Sequence, residues 1–203
     1  MKRIAIFDFD GTITTKDTLF DFIIYSFGWQ GFIKCIFVNT FNLALYALRI
    51  RSNEKAKEIL LASVLKGLEE ENFETICKNY SLKRVPEILR KETLAIIEAH
   101  KKRNDELIIV SASVEDWIKP WALTYGFSMV LSTKLERKHG MLTGHLASKN
   151  CYGKEKVNRI NTELTNRQNI HITAYGDSKG DVPMLEYANA GYYLKRNKWE
   201  KYR

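Results

Sequence analysis

Asp8 and Asp10 stand two residues apart at the end of a short apolar run, Ile4-Ala5-Ile6-Phe7, and Gly11-Thr12 follows them. Residues i and i+2 of an extended chain point the same way. Both carboxylates can therefore face one ligand at the C-terminal end of a strand, where open α/β sheets bind their ligands. Gly11 permits a sharp turn and a close backbone approach. Two carboxylates side by side repel, and they need a cation or a shared proton to coexist. Further polar groups follow other apolar runs or open a helix: Ser111-Ala112-Ser113, the lysines Lys154 and Lys156, and Gly176-Asp177-Ser178-Lys179-Gly180-Asp181. Taken singly, each has a plain structural use, Asp177 or Asp181 as a helix cap and Ser111 as a strand-end hydroxyl. Ser113 and Lys179 read either as substrate contacts or as solvated side chains.

The elements that must position these groups are read from hydrophobic periodicity. The first strand is followed by about ninety residues that read almost wholly as helix, with segments at Phe32 to Ile50, Glu54 to Lys66, Phe73 to Tyr80 and Pro86 to Lys102. Pro86 suits a first helical position. Leu107 to Val110 reads as a second buried strand, Val114 to Tyr125 as a helix stopped by Gly126, and Phe127 to Leu131 as a third strand. Leu135 to Leu146, with Gly140 and Gly144, reads as a hairpin. Residues 154–164 read as helix, Ile170 to Tyr175 as a fourth strand, Val182 to Tyr187 as helix, and Ala190 to Leu194 as a last short strand. This alternation predicts an α/β fold, a Rossmann-like doubly wound parallel sheet. The long helical block exceeds an ordinary crossover. It is expected to be a cap over 16–103, inserted into a core of 1–15 and 104–203.

At 203 residues the chain has room for one full domain, and its 45% hydrophobic content supports a core. The net charge is +8, and the tail from Lys195 to Arg203, five basic residues and one acid, carries +4 of it. A frayed, solvated terminus is expected there, and no nucleic-acid partner. Within Phe32 to Ile50, the four polar residues Lys34, Asn39, Asn42 and Arg49 fall in a sector about 140° wide at helical spacing. The rest is a broad apolar face, expected to be buried or to meet a partner, with a lipid groove or membrane contact as the alternative. The cysteines Cys35, Cys77 and Cys151 and the four histidines show no ligand spacing. No signal peptide is expected before the first strand, and the cysteine usage fits a reducing cytosol, with peripheral membrane contact left open.

The four polar sets, in this order, resemble the four motifs of the haloacid dehalogenase superfamily. The inserted cap resembles its subclass I, and Leu142-Thr143-Gly144 with Cys151-Tyr152-Gly153-Lys154-Glu155-Lys156-Val157 resembles the phosphoserine-phosphatase-like branch, subclass IB. The resemblance implies a phosphatase that uses Mg²⁺. Asp8 would then be the nucleophile that forms an aspartyl-phosphate. Asp10 would be the general acid and base, and its main-chain carbonyl a metal ligand together with Asp8 and Asp177. Asp181 would support the metal waters. Ser111, Ala112 and Thr12 would meet the substrate phosphate, and Lys156, favoured over Lys154 by family spacing, would neutralise it. Asp17 falls where phosphoserine phosphatases carry a substrate-reading glutamate. The pair Ala112-Ser113 departs from the glycines those enzymes have there, and Val110-Ser111-Ala112-Ser113 is more similar to phosphatidylglycerophosphatase-like members. The expected substrate is thus a phosphomonoester, either a small metabolite or a lipid-linked phosphate. A phosphotransferase or a non-catalytic binding module are the further alternatives. No Walker-type lysine loop supports an ATP-driven machine.

Overall fold

The computed structural model describes residues 1–165 and 167–203. Its centre is a six-stranded sheet in the order β3-β2-β1-β6-β7-β8, built from β1 (Lys2–Phe7), β2 (Glu106–Val114), β3 (Met129–Thr133), β6 (Ile170–Gly176), β7 (Ala190–Lys195) and β8 (Lys198–Lys201). All neighbours run parallel except the last pair. Strand pleating sends alternate residues to opposite faces. Ala5, Phe7, Leu107 and Ile109 pack under α5 (Lys91–Lys102) and α6 (Glu115–Thr124), whereas Ile4, Ile6, Ile108 and Val110 pack under α7 (Lys154–Glu163) and α8 (Val182–Tyr187). Burial on both faces explains why these strands read as unbroken apolar runs.

Between β1 and β2 the chain forms α1 (Thr18–Val38), α2 (Thr40–Ala47), α3 (Asn53–Leu65) and α4 (Glu70–Asn79) before it reaches α5. A separate hairpin, β4 (Leu135–Lys138) and β5 (Met141–Leu146), turns at His139-Gly140, both at positive φ, and packs against α3. Phe22 of α1 joins this helical layer to the core. It is fully buried, stacks on Trp117 of α6 at 4.4 Å, and meets Phe73 and Tyr80 edge-on. Asp21, beside it, accepts from Arg84 at 2.9 and 2.8 Å and from Lys16 at 3.2 Å. These cations hold its carboxyl below the usual range although burial pushes it up.

Four expectations change in the folded chain. The segment Phe32 to Ile50 is not one helix, because α1 ends at Val38, α2 starts at Thr40, and α1 itself breaks at Gly28 (φ 70°). Asn39 and Asn42 turn inward, where Asn39 donates to the Cys35 carbonyl and Ser63 hydroxyl and Asn42 to the Ala56 carbonyl. The apolar face turns outward instead. The segment Pro86 to Lys102 is divided into a 3-10 turn, Val85–Ile88, and α5. The break arises because Leu89 bridges Thr14 and the Arg90 amide donates to the Ile13 carbonyl. α5 then packs on β2 as a crossover helix. Finally, the basic tail is not frayed. Arg196 and Asn197 take positive φ and fold it back as β8, with Trp199 edge-on to Tyr175 at 5.3 Å.

Truncating the aromatic that joins the two layers, Phe22→Ala, is expected to lower stability by about 3–5 kcal/mol, the usual cost of emptying a large buried site. Urea denaturation followed by circular dichroism reads it.

Candidate active site

Because β1 and β6 are neighbours in parallel register, Phe7 opposite Tyr175, their ends deliver Asp8 and Asp177 to one point. The Asp8 amide donates to the Tyr175 carbonyl at 2.9 Å. This is where the strand order reverses, with β2 and β3 on one side of β1 and β6 on the other. Carboxylate oxygens of Asp8, Asp177 and Asp181 lie within 4.8 Å of one another. Lys156, on the first turn of α7 and 1% exposed, donates to Asp8 at 2.6 Å and to Asp181 at 2.5 Å. Lys154 is exposed. Lys156 lies one position beyond Glu155 on the inward face that also carries Ile160.

The remaining carboxylates are held apart by different partners. Asp10 accepts from the Thr18 amide at 3.1 Å and the Thr18 hydroxyl at 2.6 Å, and from the Ser113 hydroxyl. Trp117 donates to the same Thr18 oxygen at 3.2 Å, so the start of α1 and the end of β2 together fix the Asp10 side chain. Asp181 accepts through its second oxygen from the Ser178 amide and hydroxyl, at 2.9 and 2.7 Å, and so braces the 176–181 loop. Asp177 takes the Thr12 hydroxyl at 2.8 Å. Gly11 (φ 75°) is required here, since a Cβ at that position would lie 2.2 Å from an Asp177 oxygen.

Electrostatics follow from this crowding. Burial, then the Asp181 charge, push the Asp8 carboxyl well above its usual range, with Lys156 opposing them. Burial and Asp17 raise Asp10 to about 6, against the hydrogen bonds from Ser113 and Thr18. Burial raises Asp177 too, partly offset by Thr12. Lys156 loses stability of its charge through burial, but Asp8 and Asp181 outweigh that and raise it.

Of the other expected residues, Ser111 is buried at the site with its oxygen accepting the Ser113 amide at 3.2 Å. The ladder to β3 is irregular between Ser111 and Val114, and such bulges re-aim side chains. Ala112 lines the cavity beside Ser111 and turns its carbonyl to Thr133 at 2.7 Å. Ser113 is neither solvated nor free, being held on Asp10, while Lys179 is exposed. Thr12 is fully buried and commits its hydroxyl to Asp177 instead of facing the cavity. Asp17 caps α1 through the Leu19 amide at 2.9 Å and lines the cavity rim.

Two residues of the site escaped the sequence reading. Lys57 of α3 donates to the Ala112 carbonyl and faces Asn150 at 3.5 Å, and burial lowers it to about 8 against the pull of Asp10 and Asp17. It sits among charged residues that look solvated, yet Lys57, Leu61 and Leu65 recur at i, i+4 and i+8 on one helix face, which was the available signal. Arg90 holds the Gly11 carbonyl at 3.2 and 3.1 Å and reaches Asn197 at 2.9 Å. A cavity of about 530 Å³ opens above Asp8.

The model of the haloacid dehalogenase-like hydrolase family matches residues 5–186. The chain belongs to that family. It is 28% identical over 204 residues to the protein CicA of Caulobacter vibrioides, covering 96% of this chain and 87% of CicA. Its fold matches a solved protein of unknown function from Bordetella pertussis Tohama I with a TM-score of 0.81, at 21% identity over 94% of this chain and 89% of the other. A phosphoserine phosphatase solved as a phospho-aspartyl intermediate analogue matches with a TM-score of 0.61 at 21% identity, covering 94% of this chain and 85% of that one. The chain is a phosphatase of this family, with a site built on the strand ends that the fold brings together.

Gly11→Ala is expected to lower phosphatase activity by about 10–100-fold, the usual effect of disturbing a group that orients the reacting ones. Steady-state turnover with p-nitrophenyl phosphate measures it, and an unchanged far-ultraviolet dichroism shows that the fold persists.

Proposed function

We propose that the protein hydrolyses phosphomonoesters through an aspartyl-phosphate on Asp8, with Asp10 as general acid and base and with Mg²⁺ as cofactor. The observation that carries this reading is the division of labour between the two aspartates. Asp8 faces Lys156 at the floor of the cavity, whereas Asp10 is held off by Thr18 and Ser113 and is raised to about 6. One carboxylate is thus placed to attack and the other to carry a proton near neutral pH.

The residues present fit a divalent cation. Their donors are hard oxygens, and burial first, then neighbouring carboxylates, hold Asp8, Asp10 and Asp177 above the usual carboxyl range, a cost that a cation relieves. Asp8, Asp177 and the Asp10 main-chain carbonyl would hold the ion. When bound, Mg²⁺ supplies the positive charge that lets a carboxylate meet a phosphate dianion.

In the first step an Asp8 oxygen bonds to phosphorus while the bond from phosphorus to the leaving oxygen breaks, and Asp10 gives that oxygen its proton. In the second step Asp10 takes a proton from water, the water oxygen bonds to phosphorus, and the bond to Asp8 breaks to release inorganic phosphate. Lys156 neutralises the Asp8 and phosphoryl oxygens, and the Ser111 hydroxyl donates to a phosphoryl oxygen. Asp181 keeps Lys156 and the 176–181 loop in place. Lys57 offers a second positive charge at the rim.

The upper wall of the cavity supports an amphiphilic substrate. Leu19 and Phe20 of α1, Leu43 and Tyr46 of α2, and Leu60 of α3 line it above the carboxylates. An apolar group on the ester would find cover there, while a small polar metabolite would leave this wall unused.

Asp8→Asn is expected to abolish turnover with the fold intact, and Asp10→Asn to slow it by about 10²–10⁴-fold. A normal rate in Asp8→Asn would end the covalent reading. Chelation should stop turnover, and Ca²⁺ should replace Mg²⁺ poorly because its coordination shell is larger.

The raised carboxyls also predict a pH effect. A carboxyl raised by folding contributes stability that is present below its unfolded pKa and lost as pH rises through its folded one, about 6 for Asp10. A bound cation replaces those protons. Mg²⁺ should therefore raise Tm more at about pH 7.5 than at about pH 5.5. Differential scanning fluorimetry with and without the metal reads the difference.

A further inference from the structure

The geometry points to the outer face of α1 and α2 as a docking surface for an anionic lipid bilayer, a proposal that rests on the phosphatase reading for its purpose. Trp29, Ile33 and Phe37 recur at i, i+4 and i+8 along the second half of α1 and are 65%, 62% and 80% exposed. Phe41 on α2 is 75% exposed, and Leu48 and Ile50 just beyond it are 69% and 72% exposed. Several large apolar side chains in succession on these two consecutive helices exceed the scattered exposure normal for a water-facing surface. The inversion has a structural cause, since Asn39 and Asn42 take the inward positions and are 2% and 5% exposed.

Charge identifies the occupant. From Phe22 to Asn53 the chain contains no Asp or Glu, while Lys34 and Arg49 are exposed along it and Arg51 turns to Asn42. Apolar side chains that enter the acyl boundary beside basic groups that meet anionic headgroups are the pattern of an interfacial helix. No helix among the described residues is long and apolar enough to cross a membrane. The same two helices form the apolar wall of the catalytic cavity through Phe20, Leu43 and Tyr46. A bilayer on its outer face therefore lies beside the opening through which an amphiphilic phosphate reaches Asp8.

The test uses the full chain with vesicles of phosphatidylcholine alone or with about 30% phosphatidylglycerol, an anionic content of the kind that attracts basic segments. The protein is expected to float with the anionic vesicles, and tryptophan fluorescence to shift to the blue, a shift that Trp29→Phe removes. The double variant Phe37→Glu/Phe41→Glu should partition about a hundred-fold less, and Lys34→Glu/Arg49→Glu about ten-fold less. Both should turn over p-nitrophenyl phosphate normally, since none of the four residues lines the cavity. Flotation with neither vesicle, or equally with both, would overturn the proposal. So would light scattering that shows a dimer which Phe37→Glu/Phe41→Glu dissociates, because a second copy would then cover the face. Flotation without p-nitrophenyl phosphate turnover would instead defeat the phosphatase mechanism and leave the docking surface standing.

Discussion

The structure turns on a buried excess of negative charge at the ends of β1 and β6. Asp8, Asp10, Asp177 and Asp181 are gathered there against the ammonium groups of Lys156 and Lys57. Carboxylates taken out of water raise one another's proton affinity, and a cation relieves that cost. Lys156 supplies part of the relief by bonding to Asp8 and Asp181 together. The rest must come from protons or a divalent ion, which is why one arrangement is at once a structural liability and a place to bind a phosphate ester.

Backbone geometry makes the gathering attainable. Parallel pairing sets Asp8 beside Asp177, and Gly11 allows the chain to pass within a side chain's width of it. Thr12 then bonds to Asp177, and Arg90 holds the Gly11 carbonyl. The helical layer above is not an independent lid. Its first residue, Thr18, bonds directly to Asp10, and Phe22 stacks on Trp117 one turn further along. A shift of α1 would change both the cover of the cavity and the hydrogen bonds that set the proton affinity of Asp10.

The junction of α1 and α2 shows how far amphipathicity alone can mislead. Periodicity in the sequence marks one polar and one apolar sector, and burial of the apolar one is the ordinary expectation. Here two asparagines satisfy backbone carbonyls and a serine in the interior, so the polar sector goes inside. Buried amides with partners carry little cost. Nothing in one helix's own pattern reveals that such partners exist on its neighbour.

The sequence by itself determined the strands before the tail, the order of the motifs and the acidic set. Strand ends, glycine turns and apolar runs are local properties, legible in a few consecutive residues such as 4–12 and 170–177. The choice of Lys156 over Lys154 also had a local basis, since Lys156 shares its helix face with Ile160. Tertiary structure alone decided the partner of each group. Thr12 went to Asp177 and Ser113 to Asp10, Lys57 turned in to Ala112, the break after Ile88 was made by pairing with Thr14, and the basic tail became β8. All but the last depend on a hydrogen bond or a packing face supplied by residues distant along the chain, and such contacts have no signature in the segment that receives them; β8 pairs with its neighbour β7 across the Arg196-Asn197 turn and is packed through Trp199 against Tyr175.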